Sequence, residues 1–294
     1  MATDIATREA VVARSKRAAG LRKKLWTAFM YAFLVFGALA ILVPYIWMVI
    51  GSLKPEEDMF RIGILESLIP SRLYLGNYEA ALSQYPVILW LFNTLLVATV
   101  DTLSTLATSI LAGYAFARLR FWGRDKLFYL YLGAMMVPIQ VTLIPSFIIV
   151  KNLGMLNTYQ GIAVLQLVQF MGVFLMRQFF LNIPSDLEDA ARIDGCSWFR
   201  VLWQIVLPVS WPAVTALAVL AFTAAWNNFL WPLVVINKPE IMTIVVGLAS
   251  LKSDVTPWGI VMAATTISAL PLTVIYVIGQ RMFTQGIVMT GLKG

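Results

Sequence analysis

Long apolar runs separated by short charged segments dominate this sequence. No Asp, Glu, Lys or Arg occurs over residues 25–50, 127–150, 152–176, 201–237 and 255–280, and residues 86–117 contain only Asp101. A helix that crosses a membrane needs about 20 apolar residues. The pattern therefore predicts an all-α, polytopic membrane protein with six transmembrane helices, at about 25–50, 86–115, 127–150, 158–181, 209–233 and 258–283.

The composition agrees with this division of the chain. Of the 294 residues, 60% are hydrophobic and 13% are charged, whereas a soluble domain carries roughly 25% charged residues. Within the third predicted span, Pro138 and Pro145 each remove a backbone donor. We expect both to kink or locally unwind that helix.

The net charge of +7 reports on membrane topology. Most Lys and Arg residues lie in the N-terminal segment, in the segments after the second and fourth spans, and in the C-terminal segment. The positive-inside rule places such segments in the cytoplasm. Both termini and the segment after the fourth span are therefore predicted to be cytoplasmic. The same charges suit anionic lipid headgroups, and no nucleic-acid partner is expected.

These considerations divide the chain into three parts: a cytoplasmic N-terminal segment (1–24), a six-helix transmembrane domain (25–283) and a cytoplasmic tail (284–294). The first segment is polar and basic, and one form it can take is a helix lying on the membrane surface. The apolar run after it is long and lacks an obvious small-residue cleavage site, so it is predicted to stay as an anchor.

The segment 185–208 is the longest charge-bearing stretch between apolar runs in the second half of the chain. Ser185 followed by Glu188 has the spacing of a capping box, which predicts a helix start. Gly195 suits the helix end, where a positive φ is needed, and Ser197 is placed to cap a second helix. Ala190 and Ala191 would allow close approach of another backbone. These residues alone are compatible with two interpretations, an ordinary solvated loop helix and a helix that docks on another protein.

The residues that are absent restrict the chemistry. The chain has no histidine and one cysteine, Cys196, and it lacks the glycine-rich phosphate-binding sequence of P-loop ATPases. No pair of carboxylates lies within a span. We therefore predict no catalytic residue, no metal site and no cofactor bound by this chain.

A few polar residues inside the spans are candidates for a solute path. Asp101 lies near the middle of the second span, where a charge must face the bundle interior, pair or be protonated. A hydrogen bond to Ser or Thr of a neighbouring span is the structural alternative. Asn93, Trp226, Asn227 and Asn228 are weaker candidates, because carboxamides beside aromatic rings suit sugars, yet tryptophans also gather at membrane interfaces.

The segment 185–208 resembles the EAA loop of ABC-importer permeases. That loop reads Glu-Ala-Ala, three residues, Gly, nine residues, Ile, one residue, Leu-Pro. Here Asp189-Ala190-Ala191, Gly195 and Ile205-Val206-Leu207-Pro208 keep every spacing, with Asp189 in place of the usual Glu. Further stretches of the chain resemble the permeases of carbohydrate ABC importers. Within that group, the chain is similar to the second permease subunit of the maltose-transporter type. These stretches are residues 52–55, 113–121, 136–145, 226–233 and 285–294.

The resemblance implies a permease subunit in the bacterial cytoplasmic (inner) membrane that forms half of a translocation path. It implies a heterodimer with a second permease, two ATP-binding subunits that hold ATP and Mg, and an external solute-binding protein that delivers a carbohydrate. A short cytoplasmic coupling helix between helices 4 and 5 would dock on an ATPase through Glu188, Asp189, Ala190, Ala191, Asp194 and Gly195. The alternatives are a permease for a non-sugar solute, such as a glycerol phosphate ester, and a stand-alone secondary transporter.

Overall fold

The computed structural model describes residues 2–59, 69–251 and 256–291, with side chains for residue 20, 22–59, 69–251 and 256–279. The described backbone is helical and contains no strand. In chain order the helices are α1 (Ala2–Ser52), α2 (Gly76–Gln84), α3 (Val87–Arg118), α4 (Arg124–Met135), α5 (Ile139–Asn152), α6 (Tyr159–Ala163), α7 (Phe170–Leu181), α8 (Asp186–Ile193), α9 (Trp198–Val209), α10 (Trp211–Trp226), α11 (Leu230–Val235), α12 (Ile244–Ser250) and α13 (Trp258–Gly291). The helix α9 is π-helical over Leu202–Val206, and 3-10 turns occupy Glu56–Asp58 and Pro239–Ile241.

Four of the described helical segments are long and apolar enough to cross a membrane: Arg22–Ser52, Val87–Arg118, Trp211–Val235 and Trp258–Gly279. The third predicted span consists of α4 and α5, which meet at an angle of 96°. Pro138 is the N-cap of α5 and marks this break, whereas Pro145 lies inside α5. One of the two prolines therefore interrupts the helix. By length and composition, the described part of the chain contains four candidate spans, or five if the bent pair counts as one.

The fourth predicted span, 158–181, is not one helix. It is divided into α6 and α7 by residues 164–169, and α7 has only 12 residues, about 18 Å at 1.5 Å per residue. The interruption is stabilised by hydroxyls of α3, because Thr105 donates to the Gln166 carbonyl (3.3 Å) and Thr108 to the Leu167 carbonyl (3.3 Å). The prediction of a continuous helix over 158–181 was wrong, and the count of six spans stays a prediction.

Neither predicted domain boundary coincides with a helix end. The helix α1 is continuous through residues 24 and 25, and α13 continues from the sixth predicted span to Gly291. The last part of the predicted tail, 292–294, lies outside the described residues. The segment after α1 contains the short helix α2, and Asn77 of α2 donates to the carbonyls of Ser52 (3.1 Å) and Lys54 (2.7 Å).

The helix α3 lies at the centre of the bundle. Its buried face repeats every four residues, which places Asn93, Val97, Asp101, Thr105 and Ser109 in one row. This helix contributes to three apolar clusters: one with α7, α8, α9 and α10, one with α2, α10, α12 and α13, and one with α5, α6 and α11.

A close approach between α3 and α7 depends on glycine. A Cβ at Gly113 of α3 would lie 2.9 Å from Met176 Cβ and 3.1 Å from the backbone nitrogen of Arg177. Small residues at helix contacts are what permit such short distances between membrane helices. The central helix is thereby packed directly on the backbone of α7, which leads into α8.

The helix α1 contrasts with this core. The most apolar 18-residue window of Arg22–Ser52 is not buried at all, and large apolar side chains such as Phe36 (71% exposed) and Ile41 (70%) point away from the chain. A helix that is apolar all round is surrounded by lipid or by other protein.

Candidate functional site

The segment predicted to couple the protein to an ATPase is a helix, a tight turn and a second helix. The helix α8 starts at Asp186, as expected, with three acids in its first turn, where the helix dipole favours negative charge. The predicted capping box is absent: Ser185 has helical dihedrals and its side chain makes no capping hydrogen bond. Glu188 points into the bundle rather than back toward Ser185.

The turn after α8 is a Schellman motif, and it confirms the prediction for Gly195. This residue has φ +82 and follows the C-cap Asp194. The Cys196 N–H donates to the Ala191 carbonyl (2.9 Å), and the Gly195 N–H donates to the Arg192 carbonyl (3.1 Å), which is the hydrogen-bond pattern of that motif. The angle between α8 and α9 is therefore set by local backbone geometry.

Two side chains reinforce the turn. Arg192 Nη1 donates to the Cys196 carbonyl (2.6 Å), and its guanidinium lies 4.6 Å from the centre of the Trp198 ring. Ser197 caps α9 as predicted, because its hydroxyl accepts from the Arg200 N–H at 3.3 Å. The two helices are thus held together at both sides of Gly195.

The outward face of α8 is uncovered by the described chain. Asp189, Ala190 and Asp194 are exposed, and they are joined by exposed apolar side chains, Leu187 (47%) and Ile193 (86%). An exposed apolar patch rimmed by polar residues is typical of a protein interaction site. Ala191, by contrast, faces the bundle and is 6% exposed.

Glu188 differs most from the expectation. It is 4% exposed, and its Oε1 lies 2.8 Å from Arg118 Nε at the end of α3. The Tyr114 hydroxyl donates to its other oxygen, Oε2, at 3.2 Å. The side chain therefore contacts the protein's own bundle. Neither Arg118 nor Tyr114 was predicted from the sequence to be a partner of Glu188. The position of Arg118, directly after the apolar run 86–117, could have indicated a functional arginine.

Asp101 is deeply buried, as its position in the sequence predicted. It is 1% exposed, and its Oδ1 has no hydrogen-bond partner among the described residues. Two helical turns further along the same face of α3, the Ser109 hydroxyl is also buried without a hydrogen-bond partner among the described residues. No described Ser or Thr hydroxyl satisfies Asp101 Oδ1, so this acid retains an open hydrogen-bonding position inside the bundle.

Asn93, a predicted candidate for the solute path, makes its hydrogen bonds within the protein. It is 0% exposed. Its Nδ2 donates to the carbonyls of Glu240 and Met242, both at 2.9 Å, and its Oδ1 accepts from the Tyr159 hydroxyl at 2.8 Å. The amide is fully engaged and fastens the segment before α12 to α3.

Trp226 is the last residue of α10, and Asn227 and Asn228 lie in the break between α10 and α11, within the fifth predicted span. The Trp226 ring is 3% exposed and stacks on Phe222 with centroids 5.6 Å apart. Asn227 is exposed, and its Nδ2 donates to the Thr223 carbonyl at 2.8 Å. Of this group, only the two asparagines reach a surface of the chain.

Several apolar helices around one central helix, with α8 and its turn left uncovered, fit a membrane permease. The chain belongs to the family of binding-protein-dependent transport system inner membrane components, which it matches over residues 106–289. It is accordingly a multi-pass inner-membrane protein and a transporter subunit, and its family excludes the stand-alone secondary transporter.

Similar proteins cover nearly the whole chain. The arabinooligosaccharides transport system permease protein AraQ of Bacillus subtilis (strain 168) is 34% identical over 89% of this chain and 94% of its own length. The sn-glycerol-3-phosphate transport system permease protein UgpE of Yersinia enterocolitica is 34% identical over 88% of this chain and 95% of its own length. A solved bacterial ABC transporter involved in the import of the acidic polysaccharide alginate has the same fold, with a TM-score of 0.80 and 22% identity, over 88% of this chain and 97% of that one.

Proposed function

We propose that this protein is one of two different permease subunits of an ATP-driven importer for a carbohydrate. An external solute-binding protein would deliver the solute, and two cytoplasmic ATPase subunits, which bind ATP and Mg, would drive its passage. The observation that carries the proposal is the uncovered face of α8, where Asp189, Ala190 and Asp194 stand on a helix whose turn is fixed by a Schellman motif. Such a face suits docking in a cleft of an ATPase.

The topology that fits this function has six membrane segments, with both termini and α8 in the cytoplasm. The excess of basic residues near α8 and before α1 supports this orientation. The bent pair α4–α5 would count as one segment, and α6 with α7 as another. The apolar, unburied surface of α1 is available for the second permease subunit or for lipid.

The chain itself supplies no hydrolytic chemistry in this scheme. Its part is to receive movement at α8 and convert it into opening and closing of the path. A conformational equilibrium of this kind shifts only as far as the ATPases bind one state better than the other.

Carbohydrate is the favoured solute because AraQ, which is named for arabinooligosaccharides, is 34% identical over 89% of the chain. The second candidate is a glycerol phosphate ester, since UgpE has the same level of identity. The two solutes differ in charge, and the carboxamides of the exposed Asn227 and the partly buried Asn228 suit hydroxyls rather than a phosphate.

The test is to purify the tagged full chain from its native membrane and identify what accompanies it. We expect a second permease and an ATPase to co-purify. The complex, reconstituted in proteoliposomes with its binding protein, should take up labelled arabinotriose only when ATP is present on the ATPase side. Uptake of sn-glycerol 3-phosphate instead would select the second candidate. Purification of the chain without any ATPase would contradict the proposal.

The open carboxyl oxygen of Asp101 leads to a further prediction. We expect Asp101→Asn, which keeps the size of the side chain, to lower import about fivefold, the effect of roughly 1 kcal/mol. The amount of assembled complex should stay unchanged, because the described chain offers Oδ1 no hydrogen bond to lose. Import and complex yield are measured in parallel with Asp125→Asn, which removes an acid at the exposed start of α4. Unaltered import would leave Asp101 without a place on the path.

A further inference from the structure

A buried ion pair lies at the base of α8. Glu188 of α8 and Arg118, the last residue of α3, approach to 2.8 Å, and their side chains are 5% and 14% exposed. Only two residues of α8, Glu188 and Ala191, are buried. The ion pair is therefore the principal polar connection between the exposed helix and the rest of the protein.

Arg118 joins a third helix to this pair. Its Nη2 donates to the Phe180 carbonyl at 2.7 Å and also to the Ile183 carbonyl. These carbonyls belong to the last turn of α7 and the residues after it, where a helix leaves carbonyls without internal partners. One guanidinium thus connects the ends of α3 and α7 to the carboxylate of α8.

Tyr114 completes the arrangement. It lies one turn before Arg118 on α3, and its hydroxyl donates to Glu188 Oε2 at 3.2 Å. Its ring packs edge-on against Phe180 of α7, with centroids 5.9 Å apart. Glu188 Oε1 is therefore held by the charge of Arg118 without a hydrogen bond of its own among the described residues, and Oε2 accepts the one directed hydrogen bond, from Tyr114. Both oxygens of the carboxylate face α3.

Burying such an ion pair contributes little net free energy to the stability of a helical bundle. The desolvation of two charges offsets most of their attraction, and apolar residues of the same size often serve as well. What this arrangement provides is a defined orientation, because Tyr114 donates to Glu188 and Arg118 donates to two carbonyls of the α7 end. That property matters most where a short exposed helix must transmit a force.

We propose that Arg118, Glu188 and Tyr114 form a positioning clasp that makes α8 move as one body with α3 and α7. The proposal rests on the proposed function, in which α8 docks on an ATPase. It assigns Glu188 to force transmission within the permease and leaves Asp189, Ala190 and Asp194 for the ATPase. Because α3 also carries Asp101, a displacement of α8 is passed directly to the helix at the centre of the path.

The experiment compares Glu188→Gln and Tyr114→Phe in the reconstituted complete transporter. The first removes the charge and keeps the shape, and the second removes one hydroxyl. Asp186→Asn, at an exposed position of the same helix, is the matched control. We expect ATP hydrolysis to continue in both clasp variants, while solute imported per ATP falls about fivefold for Glu188→Gln and about twofold for Tyr114→Phe, as loss of a charged and of a neutral partner would give. The control should keep the wild-type ratio.

The double variant Arg118→Gln/Glu188→Gln tests whether the residues act as a unit. Interacting residues give non-additive effects, so the double variant should import no less per ATP than Arg118→Gln alone. The ratio is measured only on purified, assembled complexes, which separates transmission from folding. If Glu188→Gln does not assemble, Tyr114→Phe and the double variant decide the question by the same measurement.

Wild-type import per ATP in Tyr114→Phe and in either Glu188 variant would overturn the clasp, even if the yield of complex fell. Failure of the proposed function would look different. In that case the wild-type chain itself would purify without an ATPase, and no ratio would exist to compare.

Discussion

Import through a Gly195→Val variant is expected to fall about tenfold or more, with ATP hydrolysis continuing, because the turn between α8 and α9 loses its geometry. Gly195 has φ +82, a conformation that is a genuine outlier for a β-branched residue. The left-handed conformation costs an ordinary residue roughly 1–2 kcal/mol, and valine would relax by rotating to negative φ. The two hydrogen bonds of the Schellman motif would then break, and α8 would point elsewhere.

Sterics alone do not account for this expectation. A Cβ at Gly195 would have no atom within 4 Å, so a side chain fits there if the backbone accepts it. Asparagine tolerates the left-handed region, and Gly195→Asn is therefore the matched control, expected to import within about twofold of wild type. The measurement is import and ATP hydrolysis on the same reconstituted complexes. Equal import by the valine and asparagine variants would show that the dihedral of residue 195 does not set coupling.

A second large effect is expected at the contact between α3 and α7. Gly113→Leu should destabilise the bundle by about 3 kcal/mol, at the upper end of the range for overpacking. The added Cβ would meet Met176 Cβ at 2.9 Å and the Arg177 nitrogen at 3.1 Å. The second of these is backbone, which cannot turn aside as a side chain can, so the two helices must separate.

The loss should be visible as a lower melting temperature and a smaller yield of monodisperse complex in detergent. Gly133→Leu is the control, because Gly133 is also helical but a Cβ there would meet nothing within 4 Å. That variant should be neutral or gain up to about 1 kcal/mol from helix propensity. A Gly113→Leu protein as stable as the control would mean that the helices do not pack this closely in the membrane.

The parts of the structure that the sequence predicts well are those determined by neighbouring residues. The positive φ of Gly195 and the cap at Ser197 depend on side chains and backbone within a few positions, and each was read from residue type alone. The apolar runs likewise locate α1, α3 and α13, since a helix is the simplest way to satisfy its backbone in a membrane.

The parts that escaped prediction depend on partners far away in the chain. The carboxylate of Glu188 turns inward toward a tyrosine 74 residues earlier, which defeats the capping box that its local spacing suggested. The amide of Asn93 finds carbonyls 147 and 149 residues later. The break at 164–169 falls in an apolar run without proline. It is stabilised by two hydroxyls of α3, which donate hydrogen bonds to its carbonyls. Periodicity cannot encode such contacts.

The uncovered helix α1 has a consequence for how the protein is made. No residue of its most apolar 18-residue window is buried against the rest of the described chain, so α1 partitions into the bilayer on its own apolarity. Insertion of this helix need not wait for synthesis of the bundle. At its last turn, Gly51 lies against Met262 of α13, and this end of α1 must find the later helices. Biogenesis can therefore proceed with the chain tethered early and its core assembled afterwards beside a helix already in place.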